Sequence, residues 1–178
     1  MSDERDSVQG EAPRPLWAPW RIEYFKHIHG EGCFLCRAAA AAAPDDADGG
    51  LVLKRGRACL LVLNAYPYNS GHILVAPFRH VADLADMTPD ELSEAMQLIL
   101  QAKRTLTRIL KPDGFNFGFN LGAAAGAGVR DHVHGHLVPR WVGDTNFMPV
   151  LGNVRVVPQA LADTAALLRK GLADEELP

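Results

Sequence analysis

Three histidines occupy alternate positions in the run His132-Val-His-Gly-His-Leu-Val138. Alternate side chains of an extended strand share a face, so this spacing predicts three imidazoles in one row, about 6 to 7 Å apart. Two kinds of chemistry suit such a row. The imidazoles could all ligate a catalytic metal, a His-x-His pair on a strand supplying two ligands and a third residue the rest. Alternatively, a neutral imidazole attacks an electrophile through one nitrogen while an acceptor holds the proton on the other, and its neighbours position the substrate or donate to a leaving oxygen. His72 and His80 are the other histidines weighed with this row. Cys33-Phe-Leu-Cys36 pairs two thiols, a spacing that serves a metal, a redox couple or two small buried groups equally well. Cys59 stands within an apolar run and reads as core.

Just before the histidine row lies Gly122-Ala-Ala-Ala-Gly-Ala-Gly128. No side chain there is large enough to obstruct a ligand, and amides around Gly126 and Gly128 could form an anion-binding nest, with phosphate as the natural guest. The loop lacks the Lys and Ser/Thr of a Walker motif.

The elements that must position these groups are legible from patterning. Strand-like runs cover Leu51 to Lys54, Ala58 to Asn64, His72 to Ala76, Phe115 to Leu121 and His132 to Pro139. One long helix is announced by Thr88 as N-cap, Pro89 at the first helical position and Glu91 closing a capping box, and it ends at Lys111-Pro112-Asp-Gly114. Leu92, Met96, Ile99, Leu100, Leu106 and Leu110 form its apolar stripe and are expected in the core. A last helix is expected from Pro158 to about Lys170, with Leu161, Ala165 and Leu168 on one face, and a short one runs into the alanines after Cys36 until Pro44. The fold class is therefore α+β: an antiparallel sheet of about five strands with one long helix on a face and a C-terminal helix.

Length and composition bound the rest. The chain has 178 residues, room for one ordinary domain, and 48% apolar residues, ordinary globular usage. Residues 1–15 read as a disordered tail, 16–170 as a single domain and 171–178 as a flexible C-terminus. The tryptophan-rich segment Leu16 to Phe25 reads as an arm packed on the body or on a second subunit. A net charge of −3 argues against a nucleic-acid partner. Three cysteines, a polar acidic N-terminus and no long apolar stretch point to a cytoplasmic protein with no membrane partner.

The histidine run resembles the His-φ-His-φ-His-φ-φ signature of the histidine triad (HIT) family of nucleotide hydrolases and transferases, φ being hydrophobic. Asn64 through Gly71-His72-Ile-Leu-Val-Ala-Pro77 is similar to that family's upstream strand pair. Leu16-Trp-Ala-Pro-Trp-Arg21, Asn64-Ala-Tyr-Pro-Tyr-Asn69 and Pro139-Arg-Trp-Val-Gly-Asp-Thr-Asn-Phe147 resemble a bacterial subgroup that includes diadenosine tetraphosphate phosphorylase.

The resemblance implies a HIT-like fold and catalytic roles for four histidines. His134 would be the nucleophile that forms a nucleotidyl-histidine, His136 would face the phosphate, His132 would orient the nucleophile through its carbonyl, and His72 would support the cluster. Asn64, Asn120, Gly126, Gly128 and His136 would contact the nucleotide. It further implies a structural zinc on Cys33, Cys36, His80 and His132, no organic cofactor, and a homodimer acting on an adenine nucleotide or dinucleoside polyphosphate. Inorganic phosphate or water would be the acceptor. A nucleotide-binding module with a silent site is the reading from a different class.

Two departures from the family pattern stand out. Gly135 replaces a bulky apolar residue and should loosen packing behind the strand. Gly128 replaces the usual Gln or Ser near the leaving group, for which Arg130 or a backbone amide could substitute.

Overall fold

The computed structural model describes residues 32–41, 51–144 and 159–175. The expected tail 1–15, the tryptophan arm, the loop 44–50, the segment 145–147, the start of the last helix at Pro158 and residues 176–178 lie outside the described residues.

A short helix α1 (Phe34–Ala40) precedes strands β1 (Val52–Arg55), β2 (Cys59–Leu63) and β3 (Ile73–Pro77). Helix α2 (Pro89–Leu110) separates these from β4 (Gly114–Phe119) and β5 (Gly135–Arg140), and helix α3 (Leu161–Ala173) closes the described chain. The strands form one sheet in the order β1-β2-β3-β5-β4, antiparallel at every pairing. The sequence patterning had marked all five strands and both longer helices, displaced by a few residues at their ends.

α2 begins as its sequence requires. Thr88 accepts from the Glu91 amide and Glu91 returns a bond to the Thr88 amide, the two halves of a capping box, with Pro89 next in line. Its inner face, Ala95, Leu98, Ile99, Ala102 and Leu106, joins Leu61, Leu63, Ile73, Val75 and Leu137 of the sheet in one connected core. The outer face corrects an expectation. Leu92, Met96 and Leu100, read as core, are 41%, 45% and 48% exposed. They recur every four residues and so share a stripe, which the helix turns away from the sheet.

α3 also differs from expectation. It continues past Lys170 to Ala173, with Ala165, Leu168, Gly171 and Leu172 buried. Gln101 donates to the carbonyls of Leu172 and Glu175, and Arg108 to that of Gly171. Residues 171–175 are therefore docked on α2 rather than free, a correction to the flexible C-terminus. No helix of the described residues is long and apolar enough to cross a membrane.

Gly135 corrects a third expectation. A Cβ there would lie 2.9 Å from Phe119 Cζ and 3.0 Å from Val75 Cγ1. Phe119 fills the room that a larger residue would take, so the strand is packed tightly, not loosely, behind the histidines.

Candidate functional site

The expected row of three imidazoles is divided in the structure. β5 begins only at Gly135, so His132 and His134 lie on the approach to the strand and only His136 lies within it. The reason is local: the Val133 amide donates to the Val81 carbonyl at 2.7 Å, and the His132 ring N–H donates to the Pro77 carbonyl at 2.9 Å. These bonds tie the segment to the last residue of β3 and to the loop after it, in place of the sheet ladder. His132 turns to one cluster, and His134 and His136 turn to another.

The second cluster consists of His72, His134 and His136. His136 pairs with Leu74 in the β3–β5 register, which sets His72, two residues earlier, on its diagonal. Ring centroids lie 5.2 Å apart for His72–His136 and 5.0 Å for His134–His136. Gly71 delivers His72 into place: it takes a left-handed φ of 76°, and a Cβ there would lie 2.8 Å from Leu110 Cδ1.

Hydrogen bonds settle which nitrogen carries each proton. His72 Nδ1 faces two donors, the Tyr68 amide at 3.1 Å and the Asn64 Nδ2 amide at 3.2 Å, and is therefore the bare nitrogen. Its proton resides on Nε2, which donates to His136 Nδ1 at 3.1 Å. His136 then carries its own proton on Nε2, a buried N–H with no hydrogen-bond partner among the described residues. His134 runs the opposite way. Its Nδ1–H donates to the His132 carbonyl at 2.8 Å, leaving Nε2 bare. Burial pulls the pKa of His134 below its ordinary value, and burial with the neighbouring charge of His134 pulls His136 down to about 4. Both rings are neutral near pH 7, one offering a lone pair and its neighbour an unspent N–H.

The other cluster gathers Cys33, Cys36, His80 and His132, whose donor atoms all lie within 4.8 Å of one another. His132 Nδ1 is 3.3 Å from Cys33 Sγ and 3.5 Å from Cys36 Sγ, and His80 Nδ1 is 3.2 Å from Cys36 Sγ. A tetrahedral ion with bonds of about 2.0 to 2.3 Å sets its donors about 3.3 to 3.8 Å apart, so the cluster fits a metal ion. His132 spends Nε2 on Pro77 and keeps Nδ1 bare, the form a ligand needs. Burial and the nearby Cys33 raise the Cys36 pKa.

Several supports were invisible to the sequence reading. Arg79, beside His80, is clamped by Glu91 at 2.7 and 2.6 Å, which holds the Glu91 carboxylate down to about 2 and fixes the loop onto α2. Asn69 donates to the Pro139 carbonyl and to Asp144, which Arg140 grips with two further bonds. That network pins the Asn64–Gly71 loop to the end of β5. The capping residue Glu91 was legible in sequence, but its second partner Arg79 was not. Cys59 is buried and its thiol is pushed up to about 12, as suits a core residue.

Of the remaining sequence candidates, Asn64 joins the site through His72. Asn120 is half-buried just past β4, and Gly126 and Gly128 lie on the loop beyond. None of these three is hydrogen-bonded to the histidines among the described residues. Ala123–Ala125 make a 3-10 turn and Gly126 follows with φ 81°, ψ 26°, its amide donating to the Ala123 carbonyl at 3.2 Å. Arg130 is exposed.

Comparison with known proteins agrees with this geometry. Residues 50–142 match the HIT domain. The chain is 40% identical over 170 residues to an AP-4-A phosphorylase of Mycobacterium tuberculosis, spanning 93% of this chain and 85% of that one. It is 32% identical over 96 residues, 54% of this chain and 52% of the other, to an asymmetrical bis(5'-nucleosyl)-tetraphosphatase of Schizosaccharomyces pombe. Among solved structures, a zinc-bound histidine triad family protein from Mycobacterium smegmatis aligns with a TM-score of 0.63 and 29% identity, covering 80% of this chain and 94% of that one.

Proposed function

This chain belongs to the HIT family of enzymes, and we propose that it cleaves dinucleoside polyphosphates of the diadenosine tetraphosphate type through a nucleotidyl-histidine on His134, with inorganic phosphate as the acceptor. The observation that carries this reading is the opposed protonation of two adjacent rings: the bare Nε2 of His134 beside the buried, unspent Nε2–H of His136. A nucleophile and a donor for a phosphoryl oxygen are what an in-line displacement at phosphorus needs.

His134 Nε2 attacks the α-phosphorus, forming an N–P bond as the P–O bond to the leaving nucleoside triphosphate breaks. The His136 N–H donates to a non-bridging oxygen as charge develops there. An oxygen of inorganic phosphate then attacks the same phosphorus and the N–P bond breaks, returning the electron pair to Nε2 and releasing a nucleoside diphosphate. Asn64 and the Tyr68 amide act one step back, by holding His72 in the tautomer that fixes His136. The glycine-rich loop at Gly126 and Gly128, with Asn120, is assigned to the phosphate chain, and Arg130 or a loop amide to the leaving oxygen.

The phosphorylase relative matches nearly the whole chain, whereas the tetraphosphatase relative matches about half, which favours phosphate over water. Incubation with diadenosine tetraphosphate, with and without phosphate, separates the two. Adenosine diphosphate with adenosine triphosphate, formed only with phosphate, is the expected outcome. Adenosine monophosphate with triphosphate, formed without phosphate, would make the enzyme a hydrolase. Turnover unchanged by Arg130→Ala would give the leaving oxygen to the backbone.

We assign zinc to Cys33, Cys36, His80 and His132, because two sulfurs and two imidazoles in a tetrahedral set suit that ion. It would tie α1 to the approach of β5 and supply a structural cross-link. Metal analysis finding no zinc in the purified protein would overturn this. We also propose a homodimer through the exposed stripe Leu92, Met96, Leu100 and the edge strand β4, where Phe117 is exposed as well. A sedimenting monomer would contradict it. The free thiols fit a cytoplasmic location, which fractionation of cells would test.

A further inference from the structure

One peptide unit, between His132 and Val133, separates the two histidine clusters. Its carbonyl accepts the His134 Nδ1–H at 2.8 Å, and its N–H donates to the Val81 carbonyl at 2.7 Å. Each side of this peptide is one residue or less from a metal-facing ring: His132 owns the carbonyl, and His80 precedes Val81. Thiol-to-imidazole contacts of 3.2 to 3.5 Å are weak restraints by themselves, and His80 is exposed. Four bonds to one ion are strong restraints.

We propose that the Cys33, Cys36, His80 and His132 centre positions the nucleophile: a bound ion draws the His80 and His132 main chains together, sets the plane of the 132–133 peptide, and so holds His134 with its proton on Nδ1 and Nε2 bare. His132 is then a positioning residue that acts through its carbonyl while its ring is spent on the ion. The Arg79–Glu91 clamp secures the same loop to α2 independently. The ion therefore adds orientation of two peptides, an effect on rate, to the cross-link already assigned to it. The inference rests on the nucleotidyl-transfer reading for its kinetic readout but not for its structural one.

The test compares zinc-loaded protein, chelator-stripped protein and His80→Ala, which withdraws the exposed ligand and leaves the other three. Nitrogen-labelled histidine NMR at fixed alkaline pH reads the His134 tautomer, and single turnover with diadenosine tetraphosphate reads the rate of nucleotidylation. Stripping or His80→Ala should turn one Nδ1–H tautomer into a mixture and slow nucleotidylation by about 10–100-fold, the usual range when support around a metal site is lost. Affinity for adenosine monophosphate should be unchanged. Zinc should restore the stripped wild type but not His80→Ala, and His80→Cys should keep both the tautomer and the rate. Should stripping unfold the chain, His80→Ala carries the comparison alone. A folded, metal-depleted protein that keeps the single tautomer overturns the proposal, whatever its rate. Absence of nucleotidylation in the loaded wild type would instead overturn the nucleotidyl-transfer reading, while the tautomer still decides this one.

Discussion

The two histidine clusters are built from the same side chain a few residues apart, yet they are prepared for opposite tasks. In the Cys33, Cys36, His80 and His132 cluster, donor atoms converge on one point and aim at one another. In the His72, His134 and His136 cluster, the nitrogens are chained so that one lone pair and one N–H remain unspent. What a histidine can do is settled by the partner of its other nitrogen: the Pro77 carbonyl leaves His132 Nδ1 bare among the thiols, and the His132 carbonyl leaves His134 Nε2 bare. A backbone carbonyl assigns the role in both cases.

The sharpest way to separate the clusters is to remove one member of each. His134→Ala should abolish diadenosine tetraphosphate cleavage by about 10⁴-fold or more while zinc content and melting temperature hold, since the loss of a nucleophile strikes the chemical step alone. Cys33→Ser should lower zinc content and the melting temperature together. A His134→Ala protein that loses its metal would mean that the two clusters are one unit.

A smaller effect probes the proton chain. His72→Ala should reduce kcat by about 10–100-fold with KM little altered, because His136 then loses the donor that fixes its tautomer. Equal losses in binding of adenosine monophosphate would show instead that His72 shapes the pocket.

Acid should tell the clusters apart as well. His136 has its folded pKa lowered to about 4 from an ordinary 6.5, so the unfolded chain binds the proton more tightly and stability rises with pH between these values. As pH falls from about 6.5 to about 4, His136 should cost up to about 3 kcal/mol. His136→Gln should lose less stability than the wild type across that window in calorimetry. Parallel curves would show that His136 is not buried neutral.

The smallest change is Gly135→Ala, which drives a Cβ against Phe119 and Val75. Overpacking of that kind should destabilise by about 1–3 kcal/mol in chemical denaturation. An unchanged midpoint would restore the loosely packed strand that the sequence suggested.

Much of this molecule could be read in advance. The capping box of α2 and the five apolar runs follow from residue type and spacing, which act locally, whereas the membership of the two clusters is legible only through the resemblance to the HIT family. The exposure of Leu92, Met96 and Leu100 could not be read, because an apolar stripe marks a face without stating whether the sheet covers it. β5 starts later than the alternation predicts for a related reason. Alternation marks an extended chain, and here the His132 ring is bonded to the end of β3 and the Val133 amide to the loop after it, outside the ladder.

The sequence by itself determined which side chains were available for chemistry, and that three histidines would fall close together on an extended segment. Only the tertiary structure decided that His132 would leave that row to meet thiols 96 and 99 residues away, and which nitrogen of each ring would stay bare. Tautomer and ligation depend on the carbonyls and amides that face each imidazole, and those come from the Pro77, Val81 and Tyr68 segments, brought there by strand pairing and loop packing.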